Sequence, residues 1–271
     1  MSPKESKLSG NNAMANTIQK NRPLIFVPTY NEKDNVGWLF AGIKELNLPI
    51  DILFVDDNSP DGTGQVLDEI ARKNPEVKVV HQAGKAGIGN AHKVGIAWAY
   101  QQGYQTLITM DADLTHSPSD IPKLLGSISE CHVVVGSRYL QKDSLEGWNF
   151  SRKVLTRIGN ILTTFMLGIK QDATGAFRAY RLDIIPQALF QAVRSDSYSF
   201  FFESLYLLYS NSFKIKEVPI ALPPRTYGSS KMQVSDIFGS LKMLLVVFFE
   251  GKLRKREFLP SHPKQSPGES L

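Results

Sequence analysis

The sequence predicts an α/β fold in which a mainly parallel central sheet is flanked by helices. Short apolar runs rich in branched residues alternate with stretches of helical length along the first half of the 271-residue chain. Clusters of polar residues follow these runs directly, and 42% of all residues are hydrophobic, as in an ordinary globular protein. Such alternation is typical of βαβ units, in which successive strands lie parallel.

Five of the apolar runs are predicted strands because each is short and rich in Val, Ile, Leu or Phe: residues 23–28, 50–55, 77–81, 106–110 and 132–136. Four helices are predicted between or after them: residues 33–46, 62–73, 86–101 and 118–129. Ser117 and Pro118 mark the start of the fourth helix, since serine caps helices and proline is tolerated in the first turn.

After residue 140 the pattern is looser. It predicts a long helix over residues 148–167, a turn and strand from residue 171, an aromatic helix over 198–209 and a last strand over 213–220. The polar segments 1–22 and 259–271 are expected to be disordered, and the first contains no apolar core of a signal peptide.

Composition limits the classes of partner. The formal charge of +5 and the isoelectric point near 9.1 suit an anionic partner such as a nucleotide, a lipid phosphate or a membrane surface. The single cysteine, Cys131, excludes a disulfide framework and a cysteine-rich metal site, and we expect it to be a buried thiol. A reducing compartment, hence the cytoplasm, is therefore expected.

Polar clusters after five predicted strands indicate a binding site, because ligands of parallel sheets sit at the carboxyl ends of the strands. These clusters are residues 29–32, 56–59, 84–85, 111–116 and 137–138. In the fourth, Asp111 and Asp113 alternate on a predicted strand, so we expect both carboxylates to face one ligand. Paired acids suit a hard divalent cation held against a substrate diphosphate. The pattern D-x-D-x-T also occurs in haloacid-dehalogenase phosphatases, but there it follows the first strand, and here about the fourth.

Three further motifs are weaker. Residues 57–68 imitate an EF-hand loop, but Pro60 and the preceding apolar strand argue against calcium. The glycine-rich residues 84–89 match neither the P-loop nor the dinucleotide fingerprint, and are either a loop near phosphates or a plain turn. Residues 225–231 place an Arg and a Lys around a flexible loop, which either closes over a diphosphate or is simply solvated.

The apolar stretch at residues 237–249 raises the question of a membrane. At 13 residues it is too short to span a bilayer. Seven of its residues share one helical face: Ile237, Phe238, Leu241, Leu244, Leu245, Phe248 and Phe249. Basic residues follow at 252 and 254–256, so the segment is either a membrane-surface helix or a helix packed on the domain.

Six ordered blocks carry a resemblance to a known family: PTYNE from Pro28, VDDNSPDGT from Val55, MDADLTHSP from Met110, VGSRY from Val135, DATGAFRAYR from Asp172 and VPIALPPRTYGSSK from Val218. Together they resemble dolichol-phosphate mannosyltransferases and their bacterial polyprenyl-phosphate relatives in glycosyltransferase family 2. The resemblance covers residues 23–235 and implies a GT-A fold, with a Rossmann-like nucleotide-binding half and an acceptor half. Residues 236–258 would follow this catalytic domain as an amphipathic helix.

The resemblance also implies roles for particular residues. The nucleotide pocket would comprise Pro28, Tyr30, Glu32, Val55 and Asp57, and the metal and diphosphate site Asp111, Ala112 and Asp113. Thr115, at a position where some relatives have Gln or Ser, would be a further ligand of Mg²⁺ or Mn²⁺. Arg138 and Arg152 match arginines near the substrate phosphates, and Arg225 and Lys231 match a loop that closes on the donor.

The implied reaction is inverting transfer of a sugar, with mannose from GDP-mannose favoured, to a polyprenyl or dolichyl monophosphate. A lipid phosphate is already an anion near neutral pH, so it needs positioning rather than a protein base. Arg138, Arg152 and Arg157 are candidates for binding it, because a guanidinium fork suits that anion.

Two alternatives stay open: a transferase acting on a saccharide hydroxyl with Glu203 as general base, and a non-catalytic nucleotide-sugar-binding protein. The expected partners are the nucleotide sugar, the lipid phosphate and the cytoplasmic face of a membrane, reached directly or through a membrane-anchoring protein. No nucleic-acid partner is expected.

Overall fold

Seven strands form one mixed sheet in the computed structural model, which describes residues 22–225, 231 and 233–253. In chain order they are β1 (Leu24–Thr29), β2 (Asp51–Asp56), β3 (Val77–His81), β4 (Thr106–Thr109), β5 (Val133–Ser137), β6 (Arg178–Arg181) and β7 (Ile215–Pro219). Their order across the sheet is β3-β2-β1-β4-β6-β5-β7. The α/β prediction is confirmed.

Helices connect and cover these strands. They are α1 (Lys33–Glu45), α2 (Thr63–Lys73), α3 (Ile88–Gln101), α4 (Ile121–Ile128), α5 (Phe150–Leu167), α6 (Gln187–Gln191), α7 (Phe200–Ser210) and α8 (Val234–Leu253). A 3₁₀ turn, Pro118–Asp120, precedes α4, and the Ser117 hydroxyl accepts a hydrogen bond from the Ser119 amide as the predicted cap. Helix α3 begins two residues later than predicted because Gly87 adopts φ +96°, outside the helical region.

The sheet is parallel except at β6, which runs antiparallel to both β4 and β5. The side chain of Thr109 at the end of β4 donates a hydrogen bond of 2.6 Å to the Ala176 carbonyl just before β6. Because β6 is reversed, its first residue lies at the edge where the parallel strands end. The segment that precedes β6 therefore meets the carboxyl ends of β4 and β5.

Two apolar cores lie on opposite faces of the sheet, since side chains alternate along each strand. Helices α1, α2 and α4 contribute to one core, and α3, α5, α6, α7 and α8 contribute to the other. Leu24 and Phe26 of β1 point into the second core, whereas Ile25 and Val27 point into the first. Cys131 is buried, as expected.

Helix α8 divides the apolar face that the sequence predicts for it. Leu244 is buried in the core, whereas Phe238, Leu241, Leu245 and Phe249 are exposed. The helix thus packs on the domain through one side and presents apolar side chains on another. Within the described residues, each helix is too short or too polar to cross a bilayer.

Of the predicted tail at residues 1–22, only Arg22 is described, and its guanidinium lies 3.2 Å from the Asp51 carboxylate. The rest of that tail, the predicted tail at residues 259–271 and the basic residues 254–256 lie outside the described residues.

Candidate active site

A cavity of about 270 Å³ opens where β1, β2 and β4 end. Most residues of the predicted donor site line it: Pro28, Tyr30, Glu32, Asp57, Asp111, Ala112, Asp113, Arg225 and Lys231. The structure thus brings together side chains from segments about 200 positions apart in the sequence. Val55 is the exception, because it is fully buried in β2, where its carbonyl accepts a 3.3 Å hydrogen bond from the Thr29 hydroxyl.

The two acids Asp111 and Asp113 lie in a tight turn, not on a strand. Strand β4 ends at Thr109, so the expectation that strand alternation aligns these carboxylates is wrong. Leu114 adopts φ +63°, a left-handed conformation that costs a non-glycine residue about 1–2 kcal/mol. This turn, rather than strand pleating, brings both carboxylates to the cavity.

Asp113 is neutralised by a neighbouring cation. Its Oδ2 lies 2.5 Å from the Nε of Arg225, and its Oδ1 accepts a 2.6 Å hydrogen bond from the Thr115 hydroxyl. Burial alone would raise the pKa of Asp113, but Arg225 and Thr115 outweigh it and hold that pKa below its ordinary value. Thr115, a predicted metal ligand, is buried behind Asp113 and directs its carboxylate.

Asp111 has a different environment. Burial and the nearby Asp113 carboxylate raise its pKa above the ordinary value, although Arg225 opposes the shift. Its side chain remains 34% exposed to the cavity. A carboxylate so placed gains from a cation that enters the cavity.

The segment around residues 225–231 is attached at two points. Arg225 pairs with Asp113, and the Lys231 ammonium forms an ion pair with Glu32 and donates a 3.0 Å hydrogen bond to the Asn31 carbonyl. Residues 226–230 of the predicted closing loop lie outside the described residues. Two cations thus approach two acids at the rim of the cavity.

The donor set of the cavity fits a hard divalent cation. Among the described residues, no group of three or more His, Cys, Asp or Glu side chains is arranged to hold a metal by itself. Magnesium-like ions are commonly bound by one or two carboxylates together with substrate phosphates and water. Asp111 and Asp113 supply two such carboxylates, and a diphosphate in the cavity would supply the remaining oxygens.

Comparison with known proteins assigns the family. Residues 24–188 match glycosyl transferase family 2. The chain belongs to glycosyltransferase family 2. Over 219 residues it is 36% identical to a polyprenol monophosphomannose synthase of Mycolicibacterium smegmatis, a match covering 80% of this chain and 83% of that protein. Over 212 residues it is 35% identical to an undecaprenyl-phosphate mannosyltransferase of Micrococcus luteus, covering 78% and 87%.

The fold of this family 2 enzyme is the GT-A fold. A solved relative in fold is a mannosyltransferase of Pyrobaculum calidifontis in complex with GDP-Man and Mn²⁺, with a TM-score of 0.54 and 15% identity. That match covers 88% of this chain and 66% of the other. The prediction of a GT-A glycosyltransferase is therefore confirmed.

Within this glycosyltransferase, Asp57 organises the glycine-rich loop. Its carboxylate accepts hydrogen bonds from the amides of Ala86 and Gly87, at 2.9–3.1 Å, and from the Gln82 side chain, at 2.9 Å. These bonds use most of the acceptor capacity of a carboxylate. The predicted role of Asp57 in nucleotide binding stays a prediction.

The glycine-rich loop is in close contact with the loop at residues 194–198. A Cβ on Gly89 would lie 2.6 Å from the carbonyl carbon of Asp196, and the Gly89 amide donates to the Asp196 oxygen at 2.9 Å. The first amides of α3 are thus capped by a backbone carbonyl. Lys85, Gly87 and Ile88 of the glycine-rich loop still line the cavity.

Sequence reasoning missed Ser197, Tyr198 and Phe201, which line the cavity. The ammonium of Lys85, in the predicted polar cluster at residues 84–85, lies 4.3 Å from the centre of the Tyr30 ring, and Tyr198 lies near Asp111 and Arg225. Burial, together with the acids Asp111 and Asp236, raises the pKa of Tyr198 to about 12, so it is a hydroxyl donor at neutral pH. The sequence places Tyr198 at the start of the predicted aromatic helix, where no motif marks it as a site residue.

Arg138, a predicted acceptor-phosphate residue, is bound to a buried acid. Its Nε and Nη2 lie 2.7 and 2.6 Å from the two oxygens of Asp172, and Nη2 also donates to the Thr174 hydroxyl at 2.6 Å. Burial would raise the pKa of Asp172, but Arg138 outweighs it and keeps that pKa below its ordinary value. Arg138 does not line the cavity, so its contact with substrate stays a prediction.

Arg152 and Arg157 project from α5 in different directions. The Arg152 guanidinium lies 3.7 Å from the centre of the Trp148 ring. Burial and repulsion from Arg225 lower the pKa of Arg152, and because Arg225 lines the cavity, this repulsion shows that Arg152 lies near it. Arg157 is exposed, more than one helical turn further along. Of the two, Arg152 is the one close to Asp113 and Arg225.

Glu203, the alternative general base, is turned away from the cavity. It is buried, and its oxygens accept hydrogen bonds from the amides of Ser195 at 3.0 Å and Arg194 at 3.2 Å. It faces a separate, much smaller pocket. Its described contacts therefore hold the 194–198 loop rather than a substrate.

Proposed function

We propose that this enzyme transfers mannose from GDP-mannose to a polyprenyl monophosphate with inversion, using Mg²⁺ or Mn²⁺, at a membrane surface. The observation that carries the proposal is the cavity that Asp111, Asp113, Arg225 and Lys231 line together, with Arg225 paired to Asp113. Acids and cations on the wall of one cavity suit a diphosphate with a bound divalent cation. The proposed catalytic domain remains residues 23–235.

The names of the relatives support the choice of sugar and acceptor. Two relatives that are 36% and 35% identical are named as a polyprenol monophosphomannose synthase and an undecaprenyl-phosphate mannosyltransferase. The choice of GDP is supported by the fold relative solved with GDP-Man. That relative is only 15% identical, so the donor nucleotide needs a direct test.

The arrangement of charges suggests how the reaction proceeds. A lipid monophosphate oxygen would attack the anomeric carbon of the donor while the bond from that carbon to the nucleoside diphosphate breaks. Arg152, near the cavity, would hold the attacking phosphate, because a guanidinium binds its oxygens in a fixed geometry. Arg225 and Lys231 would stabilise the negative charge on the departing diphosphate. A divalent cation held by Asp111 and Asp113 supplies further stabilisation of that charge.

A saccharide hydroxyl as acceptor is less consistent with these side chains. Such an acceptor needs a general base in hydrogen-bond reach. Glu203 was the nominated base, and its carboxylate is occupied by backbone amides outside the cavity. A phosphate acceptor needs no base, which is why it is preferred here.

A membrane contact is supported by two exposed apolar stripes, which we call the α5 stripe and the α8 stripe. The α5 stripe comprises Phe150, Val154, Ile158, Ile161 and Phe165, and the α8 stripe comprises Val234, Phe238, Leu241, Leu245 and Phe249. The helices pack against each other and bury their other sides in the same core. Phe150 and Phe165 are 82% and 85% exposed, and Lys153 and Arg157 flank their stripe. Apolar side chains bordered by cations suit the surface of an anionic membrane.

Sugar transfer to lipid is the direct test of the reaction. Labelled GDP-mannose, GDP-glucose, UDP-glucose and UDP-N-acetylglucosamine would each be incubated with a polyprenyl phosphate, with Mg²⁺, Mn²⁺ or EDTA. We expect a lipid-linked product from GDP-mannose that disappears with EDTA. Product from another donor would correct the sugar or nucleotide, and hydrolysis without lipid product would contradict the proposed acceptor.

Vesicle binding tests the membrane contact separately. We expect the protein to sediment with vesicles of phosphatidylcholine and phosphatidylglycerol, and less with phosphatidylcholine alone. Replacing Phe150 and Phe165 by Ser should weaken binding at least about tenfold, since each phenylalanine buries considerable apolar area. Trp38→Ser is the control, because Trp38 is an aromatic residue, 65% exposed, on α1 across the sheet. Equal losses in both variants would contradict a membrane contact through α5.

A further inference from the structure

The two acids of the cavity are held by consecutive residues in different ways. Thr115 directs the Asp113 carboxylate through a side-chain hydrogen bond, as described above. His116 acts on Asp111 through the backbone, because the Asp111 amide donates a 2.9 Å hydrogen bond to the Nδ1 atom of His116. This bond closes the turn that contains Leu114 in its left-handed conformation.

The orientation of the His116 ring follows from this contact. A backbone amide is always a donor, so Nδ1 of His116 is the acceptor of this bond. The ring is 3% exposed and stacks on Phe177, with 5.0 Å between ring centres and 19° between planes. Phe177 is fully buried and directly precedes β6, which is paired with β4. His116 is therefore fixed to the sheet on one side and to the Asp111 backbone on the other.

We propose that His116 is a positioning residue that sets Asp111 for binding the divalent cation of the donor complex. The inference rests on the proposed function, since it assumes a cation between Asp111, Asp113 and a nucleoside diphosphate. The His116 ring touches neither the cation nor the substrate, and acts through the Asp111 main chain. Groups that orient metal ligands in this way usually change metal affinity about 10- to 100-fold when they are replaced.

Two substitutions of His116 distinguish an effect on the orientation of Asp111 from an effect on packing alone. His116→Asn keeps an acceptor close to the position of Nδ1. His116→Gln places its polar group near the position of Nε2 and leaves the Asp111 amide without its partner. The matched control is His132, whose Nδ1 likewise accepts a backbone amide, from Lys214 at 3.0 Å, and whose ring contacts Phe213. His132 precedes β5, at the opposite edge of the sheet from the cavity.

The readout is Mn²⁺ binding to the protein–GDP complex, measured from the electron paramagnetic resonance signal of free Mn²⁺, with melting temperature measured in parallel. We expect His116→Gln to weaken Mn²⁺ binding at least about tenfold, His116→Asn to stay within about threefold of wild type, and His132→Gln to bind as wild type. The GDP affinity without metal should be similar in all four proteins.

Several outcomes would overturn the inference. Wild-type Mn²⁺ affinity in His116→Gln, or equal losses in the Asn and Gln variants, would show that the ring does not orient Asp111. If His116→Gln does not fold, a loss in His116→Asn as large as that in Asp111→Asn would contradict the inference in the same way. Absence of Mn²⁺ binding in the wild-type GDP complex would instead contradict the proposed function itself.

Discussion

The region around Asp113, which we propose binds the donor and call the donor region, and the region around Arg138, which we propose binds the acceptor and call the acceptor region, each contain an arginine–carboxylate pair at the same edge of the sheet. In the donor region Arg225 lies 2.5 Å from Asp113, and its side chain is 21% exposed at the cavity. In the acceptor region Arg138 lies 2.6 Å from Asp172, and neither member lines the cavity. The same chemical pair therefore has two different uses. A pair open to the cavity can exchange partners with a ligand, whereas a buried pair fixes the backbone around it.

The largest expected effect tests the buried pair. Asp172→Ala leaves the Arg138 charge buried without its carboxylate, which should lower the free energy of unfolding by about 3–5 kcal/mol. Asp183→Ala is the control, because Asp183 pairs with Arg181 in a more exposed setting, where about 1 kcal/mol or less is expected. Urea unfolding would measure both. Similar losses of unfolding free energy in Asp172→Ala and Asp183→Ala would contradict the distinction between a buried pair and an open pair.

The open pair should affect catalysis more than stability. Asp113→Asn keeps the shape of the side chain but removes the charge that would hold a cation, so the rate of sugar transfer should fall about 100- to 1,000-fold. The free energy of unfolding should fall by less than in Asp172→Ala, because the Arg225 partner is open to the cavity and is not left fully buried without a counter-charge. Transfer assays and urea unfolding on the same preparation would compare the two. An active Asp113→Asn enzyme would contradict the assignment of the donor region.

His92 extends the comparison to a buried ionisable side chain that is surrounded by aromatic rings rather than by an opposite charge. Its effect is expected in the pH dependence of stability. His92 is enclosed by the rings of Phe26, Phe200 and Phe201, and burial lowers its pKa to about 4, below about 6.5 in an unfolded chain. The folded protein therefore resists binding a proton that the unfolded chain takes up.

The sign of the pH dependence follows from this difference. The contribution of His92 to stability should be complete above about pH 6.5 and should fall as the pH drops towards 4, by up to about 3 kcal/mol. His92→Phe should reduce that slope when unfolding free energies are measured between pH 4 and 7. An unchanged slope in the variant would assign the pH dependence to other groups.

The smallest expected effect concerns the contact between the glycine-rich loop and residues 194–198. Gly89→Ala places a methyl group 2.6 Å from the Asp196 backbone, so it should cost about 1–3 kcal/mol of stability and raise the KM for the donor. Gly37→Ala is the control, since no atom lies within 4 Å of the position that its methyl group would take, and helix propensity favours Ala by up to about 1 kcal/mol. Thermal unfolding and donor kinetics would compare the two variants. Unchanged stability and donor KM in Gly89→Ala would show that the two loops move apart at little energetic cost.

The order of elements was predictable because it depends on local patterns. The five predicted strands of the first half occur within a residue or two of their predicted bounds, since short branched runs leave little choice. The reversed strand β6 was not predicted as antiparallel, because strand direction depends on pairing with distant residues. The two acids were correctly assigned to one cavity, but through a strand that ends before them.

The partners of the charged residues were the least predictable part. From the sequence alone, Arg138 was expected to be available to a substrate phosphate. In the structure it pairs with Asp172, 34 positions away. Glu203 reads as a candidate base, and only its bonds to the Arg194 and Ser195 amides show otherwise. Residue type sets which chemistry is available, whereas burial and three-dimensional partners decide which groups are used.

The reversed strand β6 also has a consequence for how the chain folds. Strand β5 precedes β6 in the sequence but lies beyond it in the sheet, so β5 and β7 cannot join β4 until β6 has been inserted. The pairing of Thr109 with Arg178 closes a longer loop than the pairings of β1 with β2 and of β2 with β3, which makes this step slow compared with those pairings. During synthesis the edge of β4 therefore stays unpaired until the chain has emerged beyond residue 181. An unpaired strand edge can form hydrogen bonds with a strand of another chain. The insertion of β6 therefore ends the period in which the edge of β4 is open to aggregation.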